Sequence, residues 1–329
     1  VTEKNLVTAI RDALHDEMAG DDRIVLMGED VGARGGVFKV SEGFMDEFGE
    51  DRVVDTPLAE SGIVGVAIGM ALRGLRPIAE IEFADFIHPA FDQILSEASR
   101  MRYRTNGDWG CPMVIRAPCG GGIHGALYHS QSIEAFYAHI PGVKVVMPST
   151  PADAAGLLRA AIADPDPVLY LEHKKCYRLI KGDVPDEAFI TPIGRADVKR
   201  EGTDLTVVSY GYELHRCLDA AARLEAEDGV RAEVVDVRSL APLDTETILG
   251  SVRKTSRAMV VYEDNRTYGA GAEIAATIAE EAMFDLDAPI VRIGGPDIPA
   301  MPFATPLEHY YMEPEPDHIF SAMRALARF

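Results

Sequence analysis

Apolar residues Leu6, Ile10, Leu14 and Met18 recur every four positions, which predicts an opening helix. Short β-rich runs then alternate with helical patterns. The runs are "IVLMG" (24–28), "RVVDT" (52–56), "PIAEIEF" (77–83), "PMVIRAP" (112–118), "VKVVMPS" (143–149) and "PVLYLEH" (167–173). Helices are expected near 60–73, 87–104 and 151–163, the last with Thr150 as cap and Pro151 at its first position. Residues 174–203 break the rhythm: they are charged, carry prolines and read as an inter-domain connection. A second series follows, with strands in "DLTVVSYG", "AEVVDVRS", "AMVVYED" and "PIVRIGG". Its helices are expected near 212–226, 244–254, after Gly269 and near 316–327, where Ile319, Met323 and Leu326 share a face. Alternation of this kind predicts an α/β fold with a mostly parallel sheet covered on both faces. In such sheets ligands sit at the carboxyl ends of the strands.

One position there does not fit a plain amphipathic reading. In "VVDTPLAESGIVGVAIGMAL" (53–72), Glu60 is the last charge before a run from Ser61 to Leu72 that holds Gly62, Gly65 and Gly69. The bland explanation is a helix start, with Thr56 as cap and Pro57 in the first turn. A capping box wants its glutamate three residues after the cap, and Glu60 is four after Thr56. The sharper explanation is a partly desolvated acid that manages a proton.

A length of 329 residues suggests two domains. The net charge of −21 removes nucleic acid from the partner list, because no basic excess exists to neutralise phosphates. The longest apolar run, from Gly62 to Leu72, is too short to span a bilayer, and the first residues show no signal core. Cys111, Cys119, Cys176 and Cys217 form no CxxC pair, so disulfides and zinc are not expected and a cytoplasmic location is.

Other stretches carry candidate chemistry. The glycine run of "APCGGGIHGALYHSQS" (117–132) lacks the GK[ST] of a phosphate loop, and no GxGxxG follows the first strand. His124 and His129 in that loop are either hydrogen-bonded structural residues or proton carriers near neutrality. In "EIEFADFIHPAFDQIL" (80–95), Phe83, Phe86 and Phe91 are core candidates, and one at the strand end would also make a wall for a heteroaromatic ring. Asp164 and Asp166 in "AIADPDP" read locally as a turn, and no Asp/Asn cluster makes a complete magnesium cradle.

Taken together, "LMGEDVGARGGVFKVSEGF", "VVDTPLAESGIVGVAIGMAL", "LRPIAEIEFADFIHPAFDQI", "GALYHSQSIEAFYAHIPGVKVVMPSTPADAAGLL" and "ADPDPVLYLEHKKCYR" resemble the β subunit of the thiamine-diphosphate-dependent 2-oxo acid dehydrogenase component. That component is the first enzyme of the pyruvate and branched-chain 2-oxo acid dehydrogenase complexes. The likeness runs nearly end to end, and is closer to the branched-chain type. It implies a transketolase-type pyrimidine-binding domain (1–182), a linker (183–203) and a smaller α/β transketolase C-terminal domain (204–329).

The resemblance assigns roles residue by residue. Glu60 matches the glutamate that hydrogen-bonds N1′ of the cofactor's aminopyrimidine and favours the imino form that activates C2. Phe86 matches an aromatic stacked on the pyrimidine; Leu58 and Glu82 match pyrimidine-side contacts, with Glu82 where many relatives carry glutamine. Glu29 matches an acid lining the tunnel between paired active sites, and His129 matches the histidine that hands the acyl group to the lipoyl arm. Met113, Ala161, Asp164 and Asp166 match a potassium site formed largely by backbone oxygens, with Asp166 replacing a common asparagine. The family's GDG magnesium–diphosphate motif is missing: "NGDWG" (106–110) has Trp109 where a glycine belongs. The family places that motif and its Mg²⁺ on an α subunit.

The expected function is therefore oxidative decarboxylation of a branched-chain 2-oxo acid within an α2β2 heterotetramer, followed by acyl transfer to a lipoyl domain. Pyruvate or acetoin dehydrogenase β subunits share these motifs, and a non-catalytic scaffold is the reading from another class. Residues 204–329 are expected to contact the acyltransferase core through its subunit-binding domain rather than to do chemistry.

Overall fold

The computed structural model describes residues 1–313 and 317–329. The chain forms two compact units, one of residues 1–119 with 136–193 and one of residues 120–135 with 194–329.

The first unit opens with β1 (Thr2–Asn5) and α1 (Leu6–Gly20). The Asn5 side chain caps α1 by accepting from the Thr8 N–H at 2.9 Å. Leu6, Ile10, Leu14 and Met18 are buried, as their spacing predicts. Then come β2 (Ile24–Gly28), α2 (Phe44–Phe48), β3 (Val53–Asp55), α3 (Glu60–Leu72), β4 (Arg76–Glu80), α4 (Met101–Arg104) and β5 (Val114–Cys119). After the loop 120–133 follow α5 (Glu134–Ala138), β6 (Lys144–Val146), α6 (Pro151–Ala163), β7 (Val168–His173), α7 (Cys176–Leu179) and β8 (Lys181–Val184). Within this unit the parallel order is β6-β7-β5-β4-β2-β3. The chain runs from β2 outward to β3 and then returns past β2 to β4. The direction of winding therefore reverses between β2 and β4, where open α/β sheets leave a crevice at the strand carboxyl ends.

Two local expectations are corrected. Thr56 does not cap α3: its backbone N–H bonds the Gly28 carbonyl at 2.9 Å, and the N-cap is Ala59, with no side-chain bond. The helix expected over 87–104 is broken into 3₁₀ turns at Ala84–Phe86 and His88–Ala90, a π-helix at Gln93–Ala98, and α4. Pro89 has no N–H to continue an α ladder, and the Ser99 hydroxyl bonds the Leu95 carbonyl at 2.7 Å. Thr150 does cap α6, accepting from the Asp153 N–H at 3.2 Å.

The stretch read as a connection is partly folded. β8 pairs antiparallel with β1, and β9 (Asp197–Arg200) pairs antiparallel with β11 (Ala232–Asp236) of the second unit. That unit also holds β10 (Leu205–Ser209), α8 (Gly211–Asp228), β12 (Ser239–Ala241), α9 (Thr245–Thr255), β13 (Ala258–Asn265), α10 (Ala270–Ala282), β14 (Val291–Gly295), α11 (Thr305–Met312) and α12 (His318–Leu326). Its five-stranded sheet has the order β14-β13-β10-β11-β9. Ile319, Met323 and Leu326 of α12 pack into its core with Leu214 and Leu224 of α8. Of the helix expected near 316–327, residue 316 lies outside the described residues. The four cysteines are buried and form no disulfide.

The core of the first unit contains charge. Arg116 on β5 lies between Glu80 on β4 and Glu172 on β7. Its Nη1 donates to Glu80 Oε2 at 2.6 Å, and Nε and Nη2 donate to Glu172 at 2.7 and 3.0 Å. The Tyr177 hydroxyl donates to Glu172 Oε2 at 2.6 Å. Removing one partner of a buried ion pair typically costs about 3–5 kcal/mol, because the other charge stays desolvated. Arg116→Met is therefore expected to lose about that much stability, read as a lower denaturation midpoint; a midpoint within error of the parent would remove Arg116 from this role.

Candidate active site

The site begins from the register of three strands. Gly28, the last residue of β2, pairs with Asp55 of β3 and with Glu80 of β4, so the three carboxyl ends are level. Neighbouring strands lie roughly 4.8 Å apart. Residues that leave these ends are thus brought into one neighbourhood: Glu29 after β2, Glu60 at the start of α3 after β3, and Glu82 and Phe86 after β4. Gly28 is required here by close approach, since a Cβ would stand 2.4 Å from the Glu80 carbonyl oxygen.

Glu60 is the first residue of α3 and is only 8% exposed. A helix N-terminus favours a carboxylate, and the rest of α3 is apolar. Burial holds the Glu29 carboxyl above its ordinary range, with Glu60 and Asp30 adding repulsion. Glu82 is pushed up to about 7, first by burial and then by Glu29, Asp30, Glu80 and Glu60. Phe86 meets Phe83 edge-on at 5.8 Å, and Phe83 in turn meets Phe38 at 5.8 Å. The result is an aromatic wall beside carboxyls of which Glu82 is pushed up to about 7 and Glu29 is also held above its ordinary range. Leu58 lies on the segment entering α3 and is 74% exposed.

His129 belongs to the second unit, on the loop 120–135. That loop is tied by buried carboxylates of the same unit. Glu263 Oε1, on β13, accepts from the Gly121 N–H at 2.7 Å and from the Ser132 hydroxyl at 3.2 Å. Glu308 Oε1, on α11, accepts from the Gly122 and His124 N–H groups at 2.9 and 3.0 Å, and Oε2 meets His124 Nδ1 at 2.5 Å. The Tyr210 hydroxyl donates to Glu134 Oε1 at 2.9 Å. Burial pushes the Glu134 and Asp264 carboxyls up. His124 is thus a hydrogen-bonded structural residue of the loop.

Met113, Ala161, Asp164 and Asp166 also come together. The Val168 N–H bonds the Met113 carbonyl at 3.0 Å, the Asp164 N–H bonds the Ala161 carbonyl at 3.3 Å, and the Asp166 N–H bonds Asp164 Oδ1 at 2.9 Å. Both Asp164 oxygens meet Lys144 Nζ, at 2.6 and 2.5 Å, and Asp166 Oδ1 meets Arg102 Nε at 2.7 Å. The oxygen donors suit a potassium ion, but basic side chains already balance both carboxylates. Among the described residues no group of three or more His, Cys, Asp or Glu is arranged to hold a metal ion. No described helix is long and apolar enough to cross a membrane.

Sequence reasoning missed Arg116, Glu80 and Glu172, and also Glu263 and Glu308. The first three had a signal, since each is a charge set inside or at the end of an apolar strand run. Glu308 had none, because α11 was not foreseen.

Comparison with known proteins divides the chain in two along the sequence, with residues 120–135 inside the first match. Residues 2–180 match the transketolase pyrimidine-binding domain and residues 194–319 the transketolase C-terminal domain. The chain is 57% identical to the 2-oxoisovalerate dehydrogenase subunit beta of Bacillus subtilis (strain 168), over 98% of each chain. It is 49% identical to the pyruvate dehydrogenase E1 component subunit beta of the same organism, over 90% of this chain and 91% of that one. Among solved structures, a split-gene transketolase described as an inactive beta4 tetramer superposes with a TM-score of 0.79 at 26% identity, over 98% of each chain. Two transketolase-type domains in this order, with identity to β subunits over almost the whole length, place the chain in the family of β subunits of the thiamine-diphosphate-dependent 2-oxo acid dehydrogenases.

Proposed function

We propose that this chain supplies the pyrimidine-binding half of a thiamine diphosphate site, completed by an α subunit in an α2β2 heterotetramer. The assembly oxidatively decarboxylates a branched-chain 2-oxo acid and passes the acyl group to a lipoyl domain. The observation that carries this reading is Glu60: a buried carboxylate at the mouth of an apolar helix, at the sheet's winding reversal, among acids that hold protons. These residues fit an aminopyrimidine, which offers a ring nitrogen to an acid and a flat face to an aromatic side chain.

Thiamine diphosphate, when bound, supplies the nucleophilic carbon and the electron sink for decarboxylation. Glu60 holds and shares the proton at the pyrimidine N1′ nitrogen. Phe86 orients the ring by stacking, and Leu58 and Glu82 line its side. Glu29 extends the acidic path away from Glu60. His129 manages the proton that accompanies acyl transfer to the lipoyl arm. Mg²⁺ and the diphosphate belong to the α subunit, since "NGDWG" (106–110) cannot stand in for GDG. A potassium ion would use the Met113 and Ala161 carbonyls with Asp164 and Asp166, and would compete with Lys144 and Arg102.

The outer face of α3 supports a partner. Gly62, Gly65, Val66, Gly69 and Leu72 are exposed, and Val66 reaches 56%. A Cβ on Gly69 would meet nothing within 4 Å, so nothing in this chain explains that glycine, which costs helix stability. An apolar face without charge suits an α subunit packed closely on it. Residues 204–329 would contact the subunit-binding domain of the acyltransferase core. The higher identity to the 2-oxoisovalerate enzyme than to the pyruvate enzymes supports the branched-chain substrate.

Four outcomes are expected. With α subunit, Mg²⁺ and cofactor present, kcat/KM for 4-methyl-2-oxopentanoate should exceed that for pyruvate, and Glu60→Gln should lower decarboxylation by about 10²–10⁴-fold with assembly intact. Near-normal turnover by that variant would return Glu60 to a helix-start role; a preference for pyruvate would move only the substrate.

Glu82 should make stability depend on pH. Its folded value of about 7 lies above the ordinary 4.5, so its contribution is full below about 4.5 and is lost as pH rises through about 7. Glu82→Gln should therefore raise the melting temperature at pH 8, by an increment that shrinks towards pH 5. An increment equal at both pH values would count against a raised proton affinity of the Glu82 carboxyl.

Gly69→Leu should leave the chain purified alone at least as stable, because leucine is the better helix former by roughly 0.8–1 kcal/mol. It should weaken α-subunit binding by about tenfold or more, since overpacking a close contact typically costs roughly 1–3 kcal/mol. Unchanged affinity would place the interface elsewhere.

A further inference from the structure

We propose that Glu308, in the C-terminal domain, is a positioning residue for the loop that carries His129, so that this domain takes part in acyl transfer. The proposal rests on the role given to His129 above. Glu308 is 1% exposed and stands in the first turn of α11. A buried carboxylate is costly unless donors surround it. Here the donors come from the loop: the Gly122 and His124 N–H groups both bond one oxygen, and the His124 imidazole lies against the other.

Glu263 completes the hold. One of its oxygens takes both the Gly121 N–H and the Ser132 hydroxyl, joining the loop's entry to its exit. The Gly120 N–H closes the base on the Gln131 carbonyl at 2.9 Å. The ties thus fall on both sides of His129. They also hold a conformation that is unfavourable by itself, since His124 and Ala126 have φ of +59°.

The clamp reaches His129 by direct packing. A Cβ on Gly125 would stand 2.7 Å from the His129 carbonyl oxygen and 2.9 Å from the His129 Cβ. Gly125, at the end of segment 122–125, therefore lies against His129 with no room for a methyl group. If Glu308 releases Gly122 and His124, the wall behind His129 moves, and the imidazole moves with it.

The test uses the assembled α2β2 protein and two kinds of readout. In Glu308→Ala, amide hydrogen exchange at Gly122 and His124 should quicken by about tenfold or more, as expected for loss of a charge-assisted hydrogen bond. Acylation of a free lipoyl domain should fall by roughly 10–100-fold, the scale of a misplacement of about 1 Å. Decarboxylation followed with an artificial electron acceptor should stay near the parent rate. Glu308→Gln keeps an acceptor oxygen and should recover both loop protection and acylation. If Glu308→Ala does not assemble, His124→Ala removes the imidazole contact with Glu308 alone and should quicken exchange over 122–125. Unchanged exchange in both variants would overturn the clamp, and quickened exchange with undiminished acylation would overturn its positioning role. His129→Ala is measured in parallel: if it spares acylation, the role of His129 fails while the clamp is still judged by exchange.

Discussion

Arg116 lies almost fully buried on β5 and binds a carboxylate on each neighbouring strand, Glu80 on β4 and Glu172 on β7. A guanidinium does not lose its proton inside a protein, so its burial is tolerable only where fixed anions surround it. That requirement locks three strands side by side near their carboxyl ends. Glu80 is two residues before Glu82, and its carbonyl is what Gly28 must pass closely. The ion pairs therefore govern where Glu29 and Glu82 leave the sheet, and with them the acids around Glu60.

Those acids follow one physical logic. Glu29 and Glu82 are each partly shielded from water and close to other negative charge, so each holds a proton more tightly than in solution. A group of carboxyls with raised proton affinity is poor for stability and useful for proton transfer at neutral pH. The exposed apolar side of α3 is unfavourable in the same way for a chain standing alone. Both features make sense for half of a site that closes against a partner.

The second unit has its own use for buried carboxylates. Glu263 and Glu308 bind backbone N–H groups of a glycine-rich loop. Acids placed this way give an irregular loop the hydrogen bonds that helix or sheet would otherwise supply. The second unit can thus shape the loop that carries His129.

The sequence by itself determined the alternation of strands and helices, the cap at Thr150, the apolar stripe of α12 and the family. Each is written in local spacing or in long ordered motifs. Glu60 was conspicuous as a lone charge before an apolar run, and Glu29 and Glu82 through the same resemblance. The break in the helix after Phe86 was only half legible: Pro89 signals it, but the Ser99 bond to Leu95 depends on the turn that forms. The pairing of Arg116 with Glu80 and Glu172 and the hold of Glu308 on His124 were decided by tertiary structure alone. Arg116 and Glu172 are 56 positions apart, and Glu308 and His124 are 184 apart. Local pattern sets which face of an element is apolar, but which charge meets which is set by strand order and chain crossing. A buried carboxylate accepts whatever donors that topology delivers, and no local spacing records them.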